Sequence, residues 1–423
     1  MPLTICFYED SKFSQFYPLT YLRPVYLLRS WIIPIFQRYE MHFKDASVCF
    51  ASRNQISAFV SQQARDIPVN VINKGTGDVL FLNGRIRHYG DLPKSVVGCR
   101  LNTIFKNGEE VIGVLFKQDS LKTVAELATP EIFKEILPKT KAVTAEYDTN
   151  AKLYEYLWEL VDDLAISLIN DFRQLEPSLD SPHNPKIHEG CYFINENEVY
   201  LGNDIEIFPT AVIDASHGPV YIGSNSKVMP QAIINGPCFI GANSIVLRGK
   251  ISGSSIGPTS RVGGEVESSI FHSYVNKYHD GFIGHSYVGS WVNFGALTTN
   301  SDLKNNYSNV RVNVNGKEKD TEMIKVGAFI GDYCRFGIGT LLNTGINIGI
   351  CSNLFGGTLL TDKEIPPFSW GSTGKLEKYE IDKAIETTKK IYERRDTQMT
   401  PKEEAVLREI YNKEISSEGC LDF

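Results

Sequence analysis

Apolar residues recur every six positions through the second half of the chain. The two longest runs are Ile222, Val228, Ile234, Ile240 and Val246, and then Ile324, Ile330, Phe336, Leu342, Ile348, Leu354 and Leu360. A helix requires apolar spacings of three and four, and a half-buried strand requires two. A period of six places one inward side chain on each short strand, and three such strands close one coil of a hexapeptide β-helix. The pattern therefore predicts a β-helix over residues 186–375.

The first 150 residues show a different pattern, in which short apolar runs alternate with helical stretches. The runs at 46–50, 69–72, 79–84 and 109–116 are candidate strands, which predicts an α/β domain over residues 1–150. Apolar residues between 151 and 173 follow a three–four spacing, which predicts one long amphipathic helix. With the polar segment SLDSPHNP at 178–185, this helix forms a predicted connection over residues 151–185.

A helical tail is predicted over residues 376–423. Thr400-Pro401-Lys402-Glu403 combines a capping hydroxyl, a proline in the first turn and a glutamate three residues after the cap, which together indicate a helix start. We expect this tail to be a solvated helix that covers the end of the β-helix.

Composition narrows the class of protein. The 423 residues are 42% hydrophobic and 22% charged, which is typical of a globular protein with two or three domains. A formal net charge of -7 argues against nucleic acid as the main partner. The eight cysteines are scattered without a C-x-x-C pair, and the early apolar stretch 25–36 is interrupted by Arg29 and Pro34. Without a signal-peptide pattern, the sequence predicts a soluble cytoplasmic protein with no membrane partner.

The six-residue register fails at about 264–282 and again at about 300–320. We expect both stretches to be loops ejected from the coils, because a solenoid can carry an insertion without disturbing its neighbours. Polar side chains, including three of the eight histidines, are concentrated in the segment 263–307 that begins with the first stretch. The charged and histidine side chains of interest are Glu265, His272, Lys277, His279, Asp280 and His285.

The residues that follow His279 form a recognisable series. They are Phe282-Ile283-Gly284, Val288-Gly289, Asn293-Phe294-Gly295-Ala296-Leu297-Thr298 and Asn300. The series resembles the left-handed β-helix acyltransferases over about residues 240–345. Within them it is most similar to the acetyltransferase half of the bifunctional bacterial family that makes UDP-N-acetylglucosamine.

This resemblance implies a left-handed β-helix and a general base at His279. It also implies that Gly295, Ala296 and Lys375 contact acetyl-CoA, with the pantetheine arm passing close to Ala296. The chemistry independently favours a histidine, because an amine must be neutral when it attacks a thioester. An ordinary histidine has a pKa near 6.5 and can accept that proton at cellular pH.

The same resemblance implies the contacts of the sugar phosphate. Arg248 corresponds to an arginine that holds the phosphate, and Glu265 corresponds to a glutamate that binds the sugar. Asn300 corresponds to an amino-sugar contact if a small deletion after Thr298 is accepted. The family tyrosine three residues after the base is Phe282 here, and Lys277 substitutes for a family lysine that is missing from its usual position.

Two segments of the first domain carry a second resemblance. YPLTYLRPVYLLR at 17–29 resembles the start of an alternative bacterial form of the same bifunctional family, whose first half is similar to sugar-1-phosphate nucleotidyltransferases. The resemblance implies that Arg23 and Arg29 hold the phosphates of UTP. VLFLNGR at 79–85 places Asn83 where those enzymes carry a magnesium-binding aspartate, so any magnesium is expected near Asn83.

These observations predict an enzyme that acetylates an amino-sugar phosphate, with glucosamine-1-phosphate as the expected substrate, and activates it with UTP. The resemblance further implies a homotrimer. One alternative is a sugar-1-phosphate nucleotidyltransferase, for example thymidylyltransferase-like, with a non-catalytic β-helix, and another is an assembly scaffold. A third is a zinc lyase that uses His272, His279 and His285 as ligands.

Overall fold

The computed structural model describes residues 3–64, 66–72, 77–118, 143–175 and 183–418. Within these ranges the first half contains eight strands and four α-helices. The strands are β1 (Leu3–Tyr8), β2 (Ser47–Ala51), β3 (Asp78–Asn83), β4 (Ile86–His88), β5 (Thr103–Asn107), β6 (Glu110–Phe116), β7 (Ala145–Asp148) and β8 (Lys152–Leu153). The helices are α1 (Asn54–Gln63), α2 (Leu92–Gly98), α3 (Leu157–Asp162) and α4 (Leu164–Leu175).

Six of these strands form a mixed sheet in the order β2-β1-β3-β6-β5-β7, in which only β6 runs antiparallel to its neighbours. The central strands β1 and β3 are almost wholly apolar because both faces of the sheet are covered. Tyr8 and Asn83 end these two strands as register partners. Ligands of open α/β sheets bind at this carboxyl edge, so the topology positions a site after Tyr8 and Asn83.

Two expectations for this half need correction. The run at 69–72 makes a single bridge from Val69 to Phe50 and no strand. The single long helix over 151–173 is wrong, because β8 occupies its start and the rest divides into α3 and α4. The Tyr156 N–H donates to Glu159 Oε2 at 3.0 Å, and this contact closes the first turn so that α3 begins only at Leu157. Residues 178–182 of the predicted linker lie outside the described residues.

The second half is a parallel β-helix of about ten coils with three faces. The first face contains Lys186–Ile187, Glu206–Ile207, Lys227–Val228, the first residues of Ile245–Ser252 and of Arg261–Glu267, Asn276–Lys277, Asn293–Phe294, Arg335–Phe336, Asn353–Leu354 and Ser369–Ser372. The second contains Tyr192–Ile194, Val212–Asp214, Ala232–Asn235, the last residues of the two long strands, Phe282–Gly284, Thr299–Asn300, Leu341–Leu342 and Leu359–Leu360. The third contains Val199–Leu201, Val220–Ile222, Cys238–Ile240, Ser255–Ile256, Ile270–Phe271, Tyr287–Val288, Phe329–Ile330, Asn347–Ile348 and Glu364–Ile365.

The predicted β-helix is confirmed, and its six-residue apolar column is buried in one continuous core. Ile324 is the exception in that series, since it is 52% exposed. It belongs to the excursion between Asn300 and Phe329, which carries the hairpin Arg311–Val314 with Lys317–Asp320. The second predicted interruption is therefore confirmed.

The first predicted interruption, at 264–282, is not an ejected loop. Its strands continue the stack, with Arg261 paired to Asn276 and Asn276 paired to Asn293. These partners are 15 and 17 residues apart, whereas Lys227 and its partner Ile245 are 18 apart. Shorter coils, and not an insertion, break the six-residue period here.

The third face of the β-helix packs against the first half of the chain. Outward side chains of this face, such as Phe239, Tyr287 and Phe329, belong to the same buried core as β1 and α3. The ring centroids of Trp158 and Phe329 are 6.4 Å apart, and the Tyr287 hydroxyl donates to the Arg29 carbonyl at 2.6 Å. The two halves are therefore joined by a shared hydrophobic cluster, which is separate from the apolar column inside the coils.

The tail forms α5 (Ile381–Glu393) and α6 (Pro401–Glu418). The predicted cap is confirmed, because the Glu403 N–H donates to Thr400 Oγ1 at 3.3 Å. The expectation of a solvated tail is wrong: Tyr392 stacks on Trp291 with ring centroids 4.1 Å apart, and α6 packs on α1. The tail thus connects the flank of the β-helix to the first domain. None of the helices within the described ranges is long and apolar enough to cross a membrane.

Candidate active site

His279 lies at the corner between the first and second faces of the β-helix. Its backbone joins the strand Asn276–Lys277 to the strand Phe282–Gly284, and its side chain is exposed. In the next coil the same corner carries Ala296, and the N–H of the following Leu297 donates to the Asp280 carbonyl at 2.9 Å. Neighbouring coils are about 4.8 Å apart. The structure therefore brings the predicted base and the predicted Ala296 contact together in adjacent coils.

Lys277 fixes this corner from inside. Only 1% of its surface is exposed, and its Nζ donates to the carbonyls of Gly263 at 3.2 Å and His279 at 2.5 Å. Burial lowers the pKa of Lys277 to about 8. The predicted substrate contact of Lys277 needs correction, because the side chain points into the coil and positions the backbone of His279.

Three predicted substrate residues surround His279 on neighbouring coils. Arg248 pairs with Asp280 at 3.0 Å on the exposed surface. Glu265 and Phe282 are register partners on the second face, where Glu265 is exposed and Phe282 is half-buried. A ligand beside His279 would meet an arginine, a carboxylate and an aromatic ring.

Two other predicted residues have different surroundings. Asn300 is buried, where its Oδ1 accepts from the Gly284 N–H at 2.8 Å and its Nδ2 donates to the Gly284 carbonyl at 3.0 Å. Its predicted amino-sugar contact needs correction, because the amide joins two coils. Lys375 is exposed in the hairpin strand Lys375–Lys378 beyond the last coil, and therefore lies about three coils from Ala296.

A polar cavity of about 390 Å³ opens beside His279, between the first face and the end of α5. Its walls include outward side chains of consecutive coils in register and two residues that follow α5. They are Arg261, Asn276, Asn293 and Arg335 from the coils, and Arg394 and Arg395 from the tail.

The four arginines of this cavity have no carboxylate within ion-pair distance in the part of the chain that the structure describes. Burial lowers the pKa of Arg335, and burial with the neighbouring Arg261 and Arg394 lowers the pKa of Arg395. Nε of Arg261 and one Nη of Arg335 are buried without a hydrogen-bond partner. Sequence reasoning missed this arginine pocket, although the outward strand positions and the Arg394-Arg395 doublet were visible signals.

The other two histidines of the series are engaged elsewhere. His272 Nδ1 lies 3.0 Å from Ser290 Oγ, and burial followed by the charges of Arg23 and Arg29 lowers its pKa. His285 Nδ1 lies 2.7 Å from Asp302 Oδ2. No group of three metal-ligating side chains occurs among the described residues, so the histidines of one copy do not form the alternative zinc site.

A second polar cluster occupies the carboxyl edge of β1 and β3. Arg85 Nη2 lies 2.6 Å from Asp10 Oδ2 and 2.9 Å from Glu110 Oε2, and Lys12 also pairs with Glu110. Burial would raise the pKa of Glu110, but hydrogen bonds from Lys12 and Arg85 lower it. Asn83 is buried among them, with Nδ2 donating to Asp10 Oδ2 at 2.9 Å.

This arrangement does not fit a magnesium ion. The side-chain oxygen of Asn83 accepts from the Arg85 N–H at 3.0 Å, and the carboxylate of Asp10 is bound by the Arg85 guanidinium. A divalent cation requires oxygen ligands whose negative charge is not already neutralised. Arg85 and Lys12 supply the positive charge at this edge instead.

Arg23 and Arg29 do not reach that edge. Arg23 is 4% exposed and forms a forked pair with Asp332 of the β-helix, at 2.6 and 3.0 Å. Arg29 donates to the Ile32 carbonyl at 2.5 Å and faces the Phe239 ring, and burial lowers its pKa to about 10. Their predicted phosphate contacts therefore need correction, because both arginines join the two halves of the chain.

Comparison with known proteins supports the division into two transferase-like parts. Residues 5–178 match the family model "Sugar nucleotidyl transferase", which extends beyond the predicted end of the first domain at residue 150. A bifunctional sugar-1-phosphate nucleotidylyltransferase/acetyltransferase of Sulfurisphaera tokodaii is 24% identical over 393 residues, covering 81% of this chain and 93% of the relative. A bifunctional protein GlmU of Thermotoga petrophila is 25% identical over 312 residues, covering 68% of this chain and 63% of the relative, so the match spans less than two thirds of that protein.

Among solved structures, the UDP-N-acetylglucosamine acyltransferase of Francisella novicida aligns with 55% of this chain and 78% of its own, at 13% identity and a TM-score of 0.21. The β-helix itself is established by the strand pairing described above. The sequence relatives are transferases that combine two activities. The predicted resemblance to bifunctional nucleotidyltransferase/acetyltransferases is therefore confirmed.

Proposed function

We propose that the β-helix transfers an acetyl group from acetyl-CoA to the amine of an amino-sugar phosphate, with glucosamine-1-phosphate as the first substrate to test. We propose further that the first domain transfers a uridylyl group from UTP to give a UDP-sugar. The observation that carries the first proposal is the exposed ring of His279 beside both Ala296 and the arginine pocket. The match to the Sulfurisphaera relative, which includes both halves, supports the combination.

His279 acts as the general base in this proposal. Its neutral ring takes a proton from the substrate amine as the nitrogen attacks the thioester carbonyl. The tetrahedral intermediate then expels the thiolate, which receives the proton from the imidazolium. The methyl side chain of Ala296 leaves room for the acyl donor at the corner of the next coil. General base assistance contributes roughly 10²–10⁴-fold to such a rate.

Substitution of His279 tests this role. We expect His279→Ala to lower the acetylation rate roughly 10²–10⁴-fold. The affinity for acetyl-CoA, measured by calorimetry, should be unchanged. His217→Ala is the matched control, since His217 is exposed on a remote coil. An acetylation rate near that of the wild type in His279→Ala would exclude this residue as the base.

Lys12 contacts the nucleotide phosphates in the proposed uridylyl transfer, in place of Arg23 and Arg29. It is partly exposed at the carboxyl edge where open α/β sheets bind ligands, whereas the buried Arg85 is already paired with Asp10 and Glu110. UTP should raise the thermal midpoint of the wild type and of the control Lys44→Gln, but not of Lys12→Gln. The assay is run with and without magnesium. Stabilisation of Lys12→Gln by UTP equal to that of the wild type would contradict this assignment.

A homotrimer belongs to the same proposal. The third face is covered by the first domain, whereas the second face and its corner with the first expose a row of apolar side chains. Leu297 and Ile338 are 62% and 75% exposed, and Leu341 and Leu359 continue the row. A second copy would bury these residues beside His279. Light scattering should show a trimer that Ile338→Asp dissociates, and a stable wild-type monomer would contradict the proposal.

A further inference from the structure

We infer that the arginine pocket beside His279, formed by Arg261, Arg335, Arg394 and Arg395, is a binding site for a phosphate monoester or diphosphate group. The inference rests on the proposed acetyl transfer only for the identity of the molecule that carries this group. The need for an anion comes from the pocket itself.

The side chains that line the pocket are held in fixed positions by the coil stack and by α5. Arg261 and Arg335 project outward from the first face in register with Asn276 and Asn293, so the coil stack fixes their spacing. Asn276 Nδ2 donates to Asn293 Oδ1 at 2.8 Å, which orders the floor between the two arginines. The opposite wall is the end of α5, which Tyr392 holds against Trp291.

The charges in the pocket are not compensated. Four guanidinium groups line a cavity of about 390 Å³, and none has a carboxylate partner among the described residues. Two of their N–H groups, on Arg261 and Arg335, are buried with no acceptor. Buried donors nearly always have partners in folded proteins. A ligand with several acceptor oxygens and two negative charges would satisfy both requirements.

Phosphate is the anion that best matches this arrangement. One planar guanidinium group can donate to two oxygens of a phosphate. Several guanidinium groups can bind the same phosphate only if they approach it from different directions. Here Arg261 and Arg335 approach from the coils, and Arg394 and Arg395 approach from the tail. Both proposed substrates carry such a group: the coenzyme has a diphosphate and a 3′-phosphate, and the amino sugar has a 1-phosphate.

Calorimetry on the full chain tests the inference. The probes are inorganic pyrophosphate, acetyl-CoA, its dephospho form and glucosamine-1-phosphate, each titrated into the wild type and Arg394→Gln/Arg395→Gln. The control is Lys383→Gln/Lys390→Gln, which removes the same charge from exposed positions of α5. We expect pyrophosphate affinity to fall roughly tenfold or more in the arginine variant and to stay unchanged in the control. Arg335→Lys provides a second variant from the β-helix side.

The other probes identify the source of the phosphate. If the pocket holds the coenzyme, acetyl-CoA affinity falls in the arginine variant. If the wild type also binds the dephospho form more weakly than acetyl-CoA, the group in the pocket is the 3′-phosphate. If it holds the sugar, glucosamine-1-phosphate affinity falls together with pyrophosphate affinity, and acetyl-CoA affinity does not. Unchanged affinities for all probes in both arginine variants would overturn the inference. A wild type that binds pyrophosphate but does not acetylate would instead contradict only the proposed function.

Discussion

Replacing Lys277 by methionine tests the corner that carries His279. Methionine keeps the length and apolar character of the side chain but removes the amine that donates to the carbonyls of Gly263 and His279. The change therefore affects two measurable quantities. One is the pH dependence of stability, and the other is the placement of the proposed base.

The magnitude follows from the lowered pKa. Burial lowers the pKa of Lys277 from 10.5 to about 8 in the folded protein. Because this pKa is lower in the folded protein, the unfolded state binds more protons between the two pKa values. The contribution of the neutral amine to the free energy of unfolding is therefore complete above the unfolded pKa and is lost as pH falls through the folded pKa. The free energy of unfolding of the wild type should therefore rise, relative to Lys277→Met, by about 2 kcal/mol between pH 7 and pH 10. Below about pH 7 the difference should be constant, because the amine is protonated in both states.

Urea unfolding at pH 7, 8, 9 and 10, followed by tryptophan fluorescence, measures this difference. Lys94→Met removes an exposed lysine and should show no such slope. A flat or falling difference for Lys277→Met would refute the argument that burial of this amine sets its pKa. Loss of the hydrogen bond to the His279 carbonyl should also lower kcat for acetylation roughly ten- to hundredfold, because small misplacements of reacting groups have effects of this size. KM for acetyl-CoA should be unchanged, as expected for a positioning residue.

Three further changes probe the frame around this site. Arg23→Met leaves the buried carboxylate of Asp332 without its partner and should lower the free energy of unfolding by about 3–5 kcal/mol, measured by chemical denaturation, with partial recovery on adding Asp332→Asn. Thr400→Ala removes a helix cap and should cost about 0.5–2 kcal/mol by the same assay. Gly264→Ala places a Cβ 2.9 Å from the His279 carbonyl oxygen at a φ of +70°, and should reduce acetylation while pyrophosphate binding is retained. An unchanged acetylation rate in that variant would show that the corner tolerates displacement.

The β-helix could be predicted from sequence because its core repeats one physical requirement in every coil. Each inward position of the column, such as Ile222 or Ile348, must be apolar, so a simple count finds it. The same count failed at 264–282, since coils of 15 and 17 residues keep the stack but change the spacing. The excursion that exposes Ile324 follows Asn300, and the six-residue count places the return to the coils one repeat too early, at Ile324 instead of Ile330.

The candidate site was only partly predictable, because sequence shows residue types and not their partners. His279 was predicted from a family resemblance that includes its spacing from Ala296, and the coil geometry places the two residues at the same corner of adjacent coils. Lys277 and Arg23 have the residue types expected of substrate contacts, yet both are buried. Lys277 donates to backbone carbonyls of its own and the preceding coil, and Arg23 pairs with the distant Asp332. The arginine pocket combines positions more than 100 residues apart, from Arg261 to Arg395, and only the folded tail brings them together.

The shape of the coils accounts for the position of the proposed acetyl-transfer site at one corner. The strands Ile245–Ser252 and Arg261–Glu267 continue across the corner between the first and second faces, so these two coils turn there without a loop. In the following coil the segment between Lys277 and Phe282 forms the corner outside the strand pairing, and Tyr278, His279 and Asp280 are exposed there. His279 therefore has the shorter coil that joins Arg261 to Asn276 on one side and Ala296 on the other.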